Sequence, residues 1–191
     1  MIIIFVGTMG SGKSLSMVKE AYNYYLQGFR ILTNMTLNFP SEIVTAKDIQ
    51  QFAKNQENLY NTVILIDELH IFMDSRRSGS TKNVMGSYFV TQTRKQKVKL
   101  LATTQHRHQI DRRVRDNTDC FIDCEKIELP INFSDGKPCL LITNHVNTRK
   151  TYHKTTFIGN TYFDKYDTEE IIFDNSLDED EKPKKRKKKE E

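Results

Sequence analysis

Five apolar residues, Ile2-Ile3-Ile4-Phe5-Val6, run straight into Gly7-Thr8-Met9-Gly10-Ser11-Gly12-Lys13-Ser14, and no other stretch narrows the possible folds as far. The octet matches the phosphate-binding pattern G-x-x-x-x-G-K-[ST] without a mismatch. The apolar run predicts a short buried strand, and Leu15, Val18, Ala21, Tyr22, Tyr25 and Leu26 recur at helical spacing after the loop. Wrapping a polyanion in backbone N–H groups requires side chains to be absent where the backbone closes in, and Gly7, Gly10 and Gly12 meet that need. Lys13 can reach the β- and γ-phosphates, the Ser14 hydroxyl can ligate Mg²⁺, and the helix points its positive dipole end at the anion. A chance Gly/Ser-rich turn would not bring strand, Lys-Ser and helix in this order. The expected nucleotide-binding set is Gly7, Thr8, Met9, Gly10, Ser11, Gly12, Lys13, Ser14 and Leu15.

A second stretch answers the first. Thr62-Val63-Ile64-Leu65-Ile66-Asp67-Glu68 opens on a continuous β-branched and apolar run, which signals a strand buried on both faces of a parallel sheet. Carboxylates at its C-terminal end fall where α/β sheets bind ligands. Asp67 is expected to hold the Mg²⁺ hydration shell, and Glu68 to polarise a water for attack on the γ-phosphate. Val98 to Ala102 reads as another central strand, ending in Thr103-Thr104-Gln105. Gln105 is placed to hydrogen-bond both the attacking water and the γ-phosphate.

The chain of 191 residues suits one α/β domain with an attached tail. Its 37% hydrophobic and 28% charged content is that of a soluble globular protein. No apolar run approaches a membrane span, and the N-terminal run lacks a basic leader, so an intracellular protein is expected. Cys120, Cys124 and Cys139 are odd in number. On one strand Cys120 and Cys124 would stand about 13 Å apart, too far for one zinc ion, so buried free thiols are expected. The net charge is +4, yet residues 94–115 hold eight Lys/Arg against Asp111 alone. That window is either a polyanion site or a solvated face.

Along the chain, Gly28 reads as a helix C-cap, residues 30–34 as a second strand, and Ala46 to Lys54 as a short helix. Arg76 to Ser87 reads as a basic loop on the catalytic side of the sheet, with Arg76, Arg77 and Lys82 as DNA-contacting candidates. Tyr88 to Gln96 and Ile110 to Asn117 read as helices, and Cys120 to Leu129 as a strand. Cys139 to Val146 and Thr151 to Ile158 predict an antiparallel hairpin on the sheet edge. The boundaries expected are an ATPase domain over residues 1–166, with its core at 1–129 and a β addition at 130–166. Residues 167–191 follow as a flexible charged tail, either a docking arm or a solubilising segment.

The chain has no Asn-Lys-x-Asp base-reading motif of a GTPase and no Leu-Ser-Gly-Gly-Gln signature of an ABC ATPase. A base at Glu68 favours hydrolysis over transfer to a metabolite. Taken together, the phosphate-binding octet, Gly28-Phe-Arg-Ile-Leu-Thr-Asn34, Val63-Ile-Leu-Ile-Asp-Glu-Leu-His70 and Leu101-Ala-Thr-Thr-Gln105 resemble the FtsK–HerA superfamily. Within it the chain is similar to zonula-occludens-toxin-like and viral genome-packaging ATPases, over about Ile2 to Asp123. The resemblance implies a RecA-like (ASCE) P-loop sheet of order 5-1-4-3-2, ring oligomers (commonly hexamers), and ATP-driven movement of double-stranded DNA. It assigns ATP and Mg²⁺ to Lys13, Ser14 and Asp67, catalysis to Glu68, and sensing to Gln105. An arginine completing the site from a neighbouring subunit is expected, Arg94 first and Arg115 second. Toxin-like relatives usually carry a membrane span after the ATPase domain, and none is found here. The expectation is therefore a packaging motor in the host cytoplasm or on the virion, with a capsid or membrane-associated virion protein as partner. The alternatives are a nucleotide-dependent assembly switch and a virion-extrusion ATPase.

Overall fold

A computed structural model of the chain describes residues 1–45, 48, 51–52, 59–72, 98–133, 136–148 and 150–167. The elements in order are β1 (Ile2–Val6), α1 (Lys13–Leu26), β2 (Arg30–Thr33), β3 (Glu42–Ile43), β4 (Thr62–Ile66), α2 (Leu69–Phe72), β5 (Lys99–Thr104), α3 (Arg112–Asn117), β6 (Cys120–Asn132), β7 (Pro138–Thr148) and β8 (Tyr152–Ile158). Short 3₁₀ segments cover Arg107–Gln109 and Gly159–Lys165. Of the helix expected over Ala46 to Lys54, residues 48, 51 and 52 are helical and the rest lies outside the described residues. The helix expected over Tyr88 to Gln96 and the loop over Arg76 to Ser87 also lie outside them.

Among the described residues eight strands form one sheet, in the order β3-β2-β4-β5-β1-β6-β7-β8. Pairing is parallel from β3 to β6 and antiparallel for β6–β7 and β7–β8. Counting β1, β2, β4, β5 and β6 as one to five reproduces the expected 5-1-4-3-2, and the departures lie at the two edges. The chain after β2 doubles back so that β3 adds a strand beyond β2, held by Val44 N–H donating to Thr33 O at 2.8 Å and by a two-point Arg30–Glu42 ion pair. At the other edge β6 runs to Asn132 rather than Leu129. Its start pairs with β1, while the whole strand pairs with β7. Pro130, which has no N–H to donate, sits where that register shifts.

Alternation along the strands divides the core. Ile2, Ile4, Val6, Ile64, Ile66, Leu100 and Ala102 face one layer with Leu69, Ile110 and Val114. Phe5, Val63, Leu65 and Leu101 face the other, beneath Met17, Val18 and Ala21 of α1. Every residue of β4 is buried, as its unbroken apolar run demands. The hairpin does not hang free of this core. Ile142 is fully buried, and the buried Ser16 hydroxyl of α1 donates to Asn144 Oδ1 at 2.9 Å.

Candidate nucleotide-binding and hydrolytic site

Loop 7–14 turns the chain from β1 into α1, and its glycines are conformationally required. Gly10 has φ +74° with open space around it, so only the backbone angle demands glycine there. Gly12, the residue before α1, has φ +89°, and a Cβ on it would stand 2.8 Å from Ile142 Cδ1. Lys13 is buried, and its Nζ donates to Thr8 O at 3.0 Å, folding the side chain back over the loop. Ser11 Oγ is buried without a hydrogen-bond partner among the described residues. An orphaned hydroxyl, a glycine cradle and a buried cation around one helix N-terminus fit a phosphate tail.

Asp67 reaches the loop by simple parity. It lies two residues beyond Leu65, on the face of the sheet that α1 covers, so its carboxylate meets the first turn of α1. Ser14 Oγ donates to it, 3.0 Å from Oδ1 and 3.2 Å from Oδ2. Thr103, fully buried in β5, donates to Asp67 Oδ1 at 2.5 Å and accepts from Glu68 N–H at 2.9 Å. Asn34, just past β2, brackets the Asp67 peptide. Its Nδ2 donates to Asp67 O at 3.0 Å, and its Oδ1 accepts from Asp67 N–H at 2.8 Å. The carboxylate is thus held by α1 and β5, and its peptide by the residue that follows β2. With the Ser14 hydroxyl it forms a pair of hard oxygen donors of the kind Mg²⁺ takes.

Glu68 departs from its surroundings. Its φ of +54° is left-handed, a conformation that costs a non-glycine residue on the order of 1–2 kcal/mol and concentrates at functional sites. Its Oε2 stands 3.1 Å from His70 Nδ1, a contact that becomes an ion pair when the imidazole is protonated. Neither atom makes a well-angled hydrogen bond among the described residues, although both are buried. Glu68 follows Asp67 directly at the C-terminal end of β4, with this oxygen turned toward His70. Gln105, half-buried, follows β5 at the same C-terminal edge, between the ends of β4 and β1.

Tyr166 comes to this site from the C-terminal part of the chain and lines the same cleft of about 200 Å³ as Lys13 and Ser14. Burial, with the Asp67 charge adding to it, pushes its phenol up to about 12. Burial likewise pushes the Cys124 thiol to about 12 and raises that of Cys120; the three cysteines are free and buried.

The basic window loses much of its bare charge. Arg107 pairs with Asp123 at 2.6 Å, Arg113 with Asp111 at 3.0 Å, and Arg112 with Asp116 at 3.5 Å. Lys99 lies over the rings of Tyr24 and Phe29. The Arg113 guanidinium holds the Asp111 carboxyl below its usual range, and Asp111 caps α3 through the Arg113 N–H. Arg115 stands 3.2 Å from His108, on a helix leading back toward the start of β6, where Cys120 pairs with Ile3 at the end of β1 remote from the loop. The arginines of α3 therefore stand toward the end of their own chain's β1 that is remote from the loop. Arg76, Arg77, Lys82 and Arg94 lie outside the described residues.

Sequence reasoning gave no role to Asn34, His70, Thr103 or Tyr166. Thr103 carried a signal, since it shares a strand face with Leu101 and so faces Asp67. The Asn34 contact depends on the β2–β4 register, and that of Tyr166 on a chain reversal 100 residues downstream, which no local pattern encodes.

The family model for the ATPase family associated with various cellular activities (AAA) matches residues 3–126. The structure is similar to the N-terminal domain of zonular occludens toxin from Neisseria meningitidis, with TM-score 0.62, 16% identity, and 87% of this chain and 98% of that one covered. It is also similar to the genome packaging NTPase B204 from Sulfolobus turreted icosahedral virus 2. In complex with sulfate that protein aligns with TM-score 0.56 and 11% identity, over 81% of this chain and 94% of that one. In complex with ATP-gammaS the TM-score is 0.52 at 11% identity, over 81% and 95%. No curated protein matches in sequence.

Proposed function

The chain belongs to the ATPase family associated with various cellular activities, and from that premise we propose that it is an ATP-hydrolysing motor moving double-stranded DNA, of the viral or mobile-element genome-packaging kind. Glu68 carries the hydrolytic half of this reading. A left-handed backbone directly after Asp67 is a strained conformation of the kind found at functional sites, and proton acceptance during catalysis gives it a purpose.

In the proposed step, water beside the γ-phosphate forms a bond to phosphorus while Glu68 takes its proton. The bond from phosphorus to the β–γ bridging oxygen breaks, and ADP leaves with that oxygen. Lys13 and the N–H groups of the loop stabilise the charge that shifts onto the phosphates, and Gln105 orients the water. Ser14 and Asp67 would hold Mg²⁺, which supplies charge neutralisation for the phosphate oxygens when bound.

The DNA half rests on the fold shared with a genome packaging NTPase and on basic residues Arg76, Arg77 and Lys82 in the sequence between Glu68 and β5. A homo-oligomeric ring, hexameric as in related motors, brings a neighbour's arginine to the site. The motor works in the host cytoplasm or on the virion, with a capsid or membrane-associated virion protein as partner. No helix among the described residues is long and apolar enough to cross a membrane. The likeness over 98% of the zonular occludens toxin domain favours virion extrusion as the second reading.

Glu68→Gln tests the hydrolytic centre. It should bind ATP as the parent does and lose turnover by about 10²–10⁴. Turnover near the parent's would remove Glu68 from the role.

A further inference from the structure

We propose that the C-terminal segment Gly159–Tyr166 is the outer wall of the nucleotide site, with Phe163 seating the base and ribose against Leu140 and Ile142 of β7. The proposal rests on the phosphate-binding reading of loop 7–14.

The cleft over that loop does not end with the phosphate cradle. Its polar lining is Gly10, Gly12, Lys13 and Ser14 with Lys126 and Tyr166, and the same volume of about 200 Å³ is also walled by Leu15, Leu140, Ile142 and Phe163. A ligand that meets both linings carries anionic charge and an apolar, flat group. A polyphosphate meets only the first, whereas a nucleotide meets both. An aromatic residue among aliphatic ones suits the base, since every base has a π-face.

Both ends of the segment are pinned, so the wall is preformed. At its start, Gly159 lies so near α1 and β7 that a Cβ would stand 2.9 Å from Leu15 Cδ2 and 3.1 Å from Ile142 Cγ1. Asn160 fastens it to β7, accepting from Leu140 N–H at 2.8 Å and donating to Pro138 O at 3.0 Å. At its end, Asn38 donates to Lys165 O at 2.8 Å and to Asp164 O at 2.9 Å, and Leu37 bridges Tyr166. Lys165 lies over the Tyr22 ring of α1. The segment therefore crosses α1 from the hairpin to the loop after β2, carrying Phe163 between two fixed points. A side chain held this way gives affinity without paying for loop ordering on each binding event.

Titration calorimetry with Mg²⁺ on the full chain tests this, with ADP and inorganic pyrophosphate as the two probes. Phe163→Ala should weaken ADP roughly tenfold to a hundredfold and leave pyrophosphate within about twofold. Phe163→Leu, which keeps apolar bulk without the flat face, should fall between. Lys13→Ala should weaken both probes. Unchanged ADP affinity in Phe163→Ala overturns the proposal. So does an equal loss for ADP and pyrophosphate, which would make Phe163 a structural support of the cradle. If the parent binds neither probe, or Lys13→Ala alters neither, the phosphate-binding reading itself falls and takes the proposal with it.

Discussion

The Ser14 hydroxyl stands 3.0 Å from Asp67 Oδ1, across 53 residues of sequence, and Thr103 donates to that same oxygen. Thr103 also accepts the Glu68 N–H, so one hydroxyl ties the Asp67 carboxylate to the Glu68 backbone. Thr103→Val keeps the buried volume and removes the hydroxyl. Turnover should fall about 10–100-fold, as for other outer partners of metal-binding groups, with ADP binding largely kept. Steady-state hydrolysis alongside calorimetry checks this, and an unchanged rate would show that Asp67 and Glu68 are positioned without it.

Asn34 closes two hydrogen bonds on the Asp67 peptide. Asn34→Ala leaves that N–H and C=O without their partners, which should cost about 1–3 kcal/mol of stability. Hydrolysis should fall as well, because the Asp67 backbone is released. Chemical denaturation gives the first quantity and steady-state assay the second. Loss of stability with full activity would mean that Asn34 supports the sheet but not the site.

These two residues show what was legible in the sequence. The five long parallel strands, the loop and Asp67-Glu68 were readable because each leaves a local mark: an unbroken apolar run for a doubly buried strand, glycines where a backbone must turn left-handed, carboxylates at a strand end. Asn34 and Tyr166 leave no such mark, and Thr103 leaves only its parity with Leu101. Their roles arise from strand order and register, and a polar residue closing a strand looks the same whether or not it meets Asp67. The hairpin was visible as alternating β-rich runs. That Ile142 would close over Gly12 depends on packing between segments 130 residues apart. The count of charge in residues 94–115 could not show how much of it is paired, since Asp116 and Asp123, which pair with Arg112 and Arg107, lie outside that window.

Burial raises the Cys124 thiol from 9.0 to about 12. A folded-state pKa above the unfolded one adds stability in full below pH 9, and that stability is lost as pH rises from there toward 12. The native chain at pH 8 should leave Cys124 unreacted with a thiol-alkylating reagent over hours and expose it in denaturant. Peptide mapping by mass spectrometry identifies the residue. Rapid native labelling would contradict its burial beneath α1.

If a neighbour's arginine completes the site, two inactive variants should rescue each other. Glu68→Gln keeps the arginine, and Arg94→Ala keeps the base. Mixed subunits should recover part of the turnover at composite interfaces, by stabilising charge on the γ-phosphoryl oxygens. If both variants assemble and the mixture stays inactive, Arg94 is not that residue, and Arg115 is the next to test.

The most direct measurement of the motor account is ATP turnover with and without double-stranded DNA, repeated across salt concentrations. DNA of unrelated sequences should stimulate turnover alike, because a translocating motor grips phosphates rather than bases. The concentration needed should rise steeply with salt, and neutralising Arg76, Arg77 and Lys82 together should flatten that dependence. Glu68→Gln should bind DNA but show no stimulated turnover. Turnover indifferent to DNA at every salt concentration would contradict the account and leave an ATPase whose cycle drives something else.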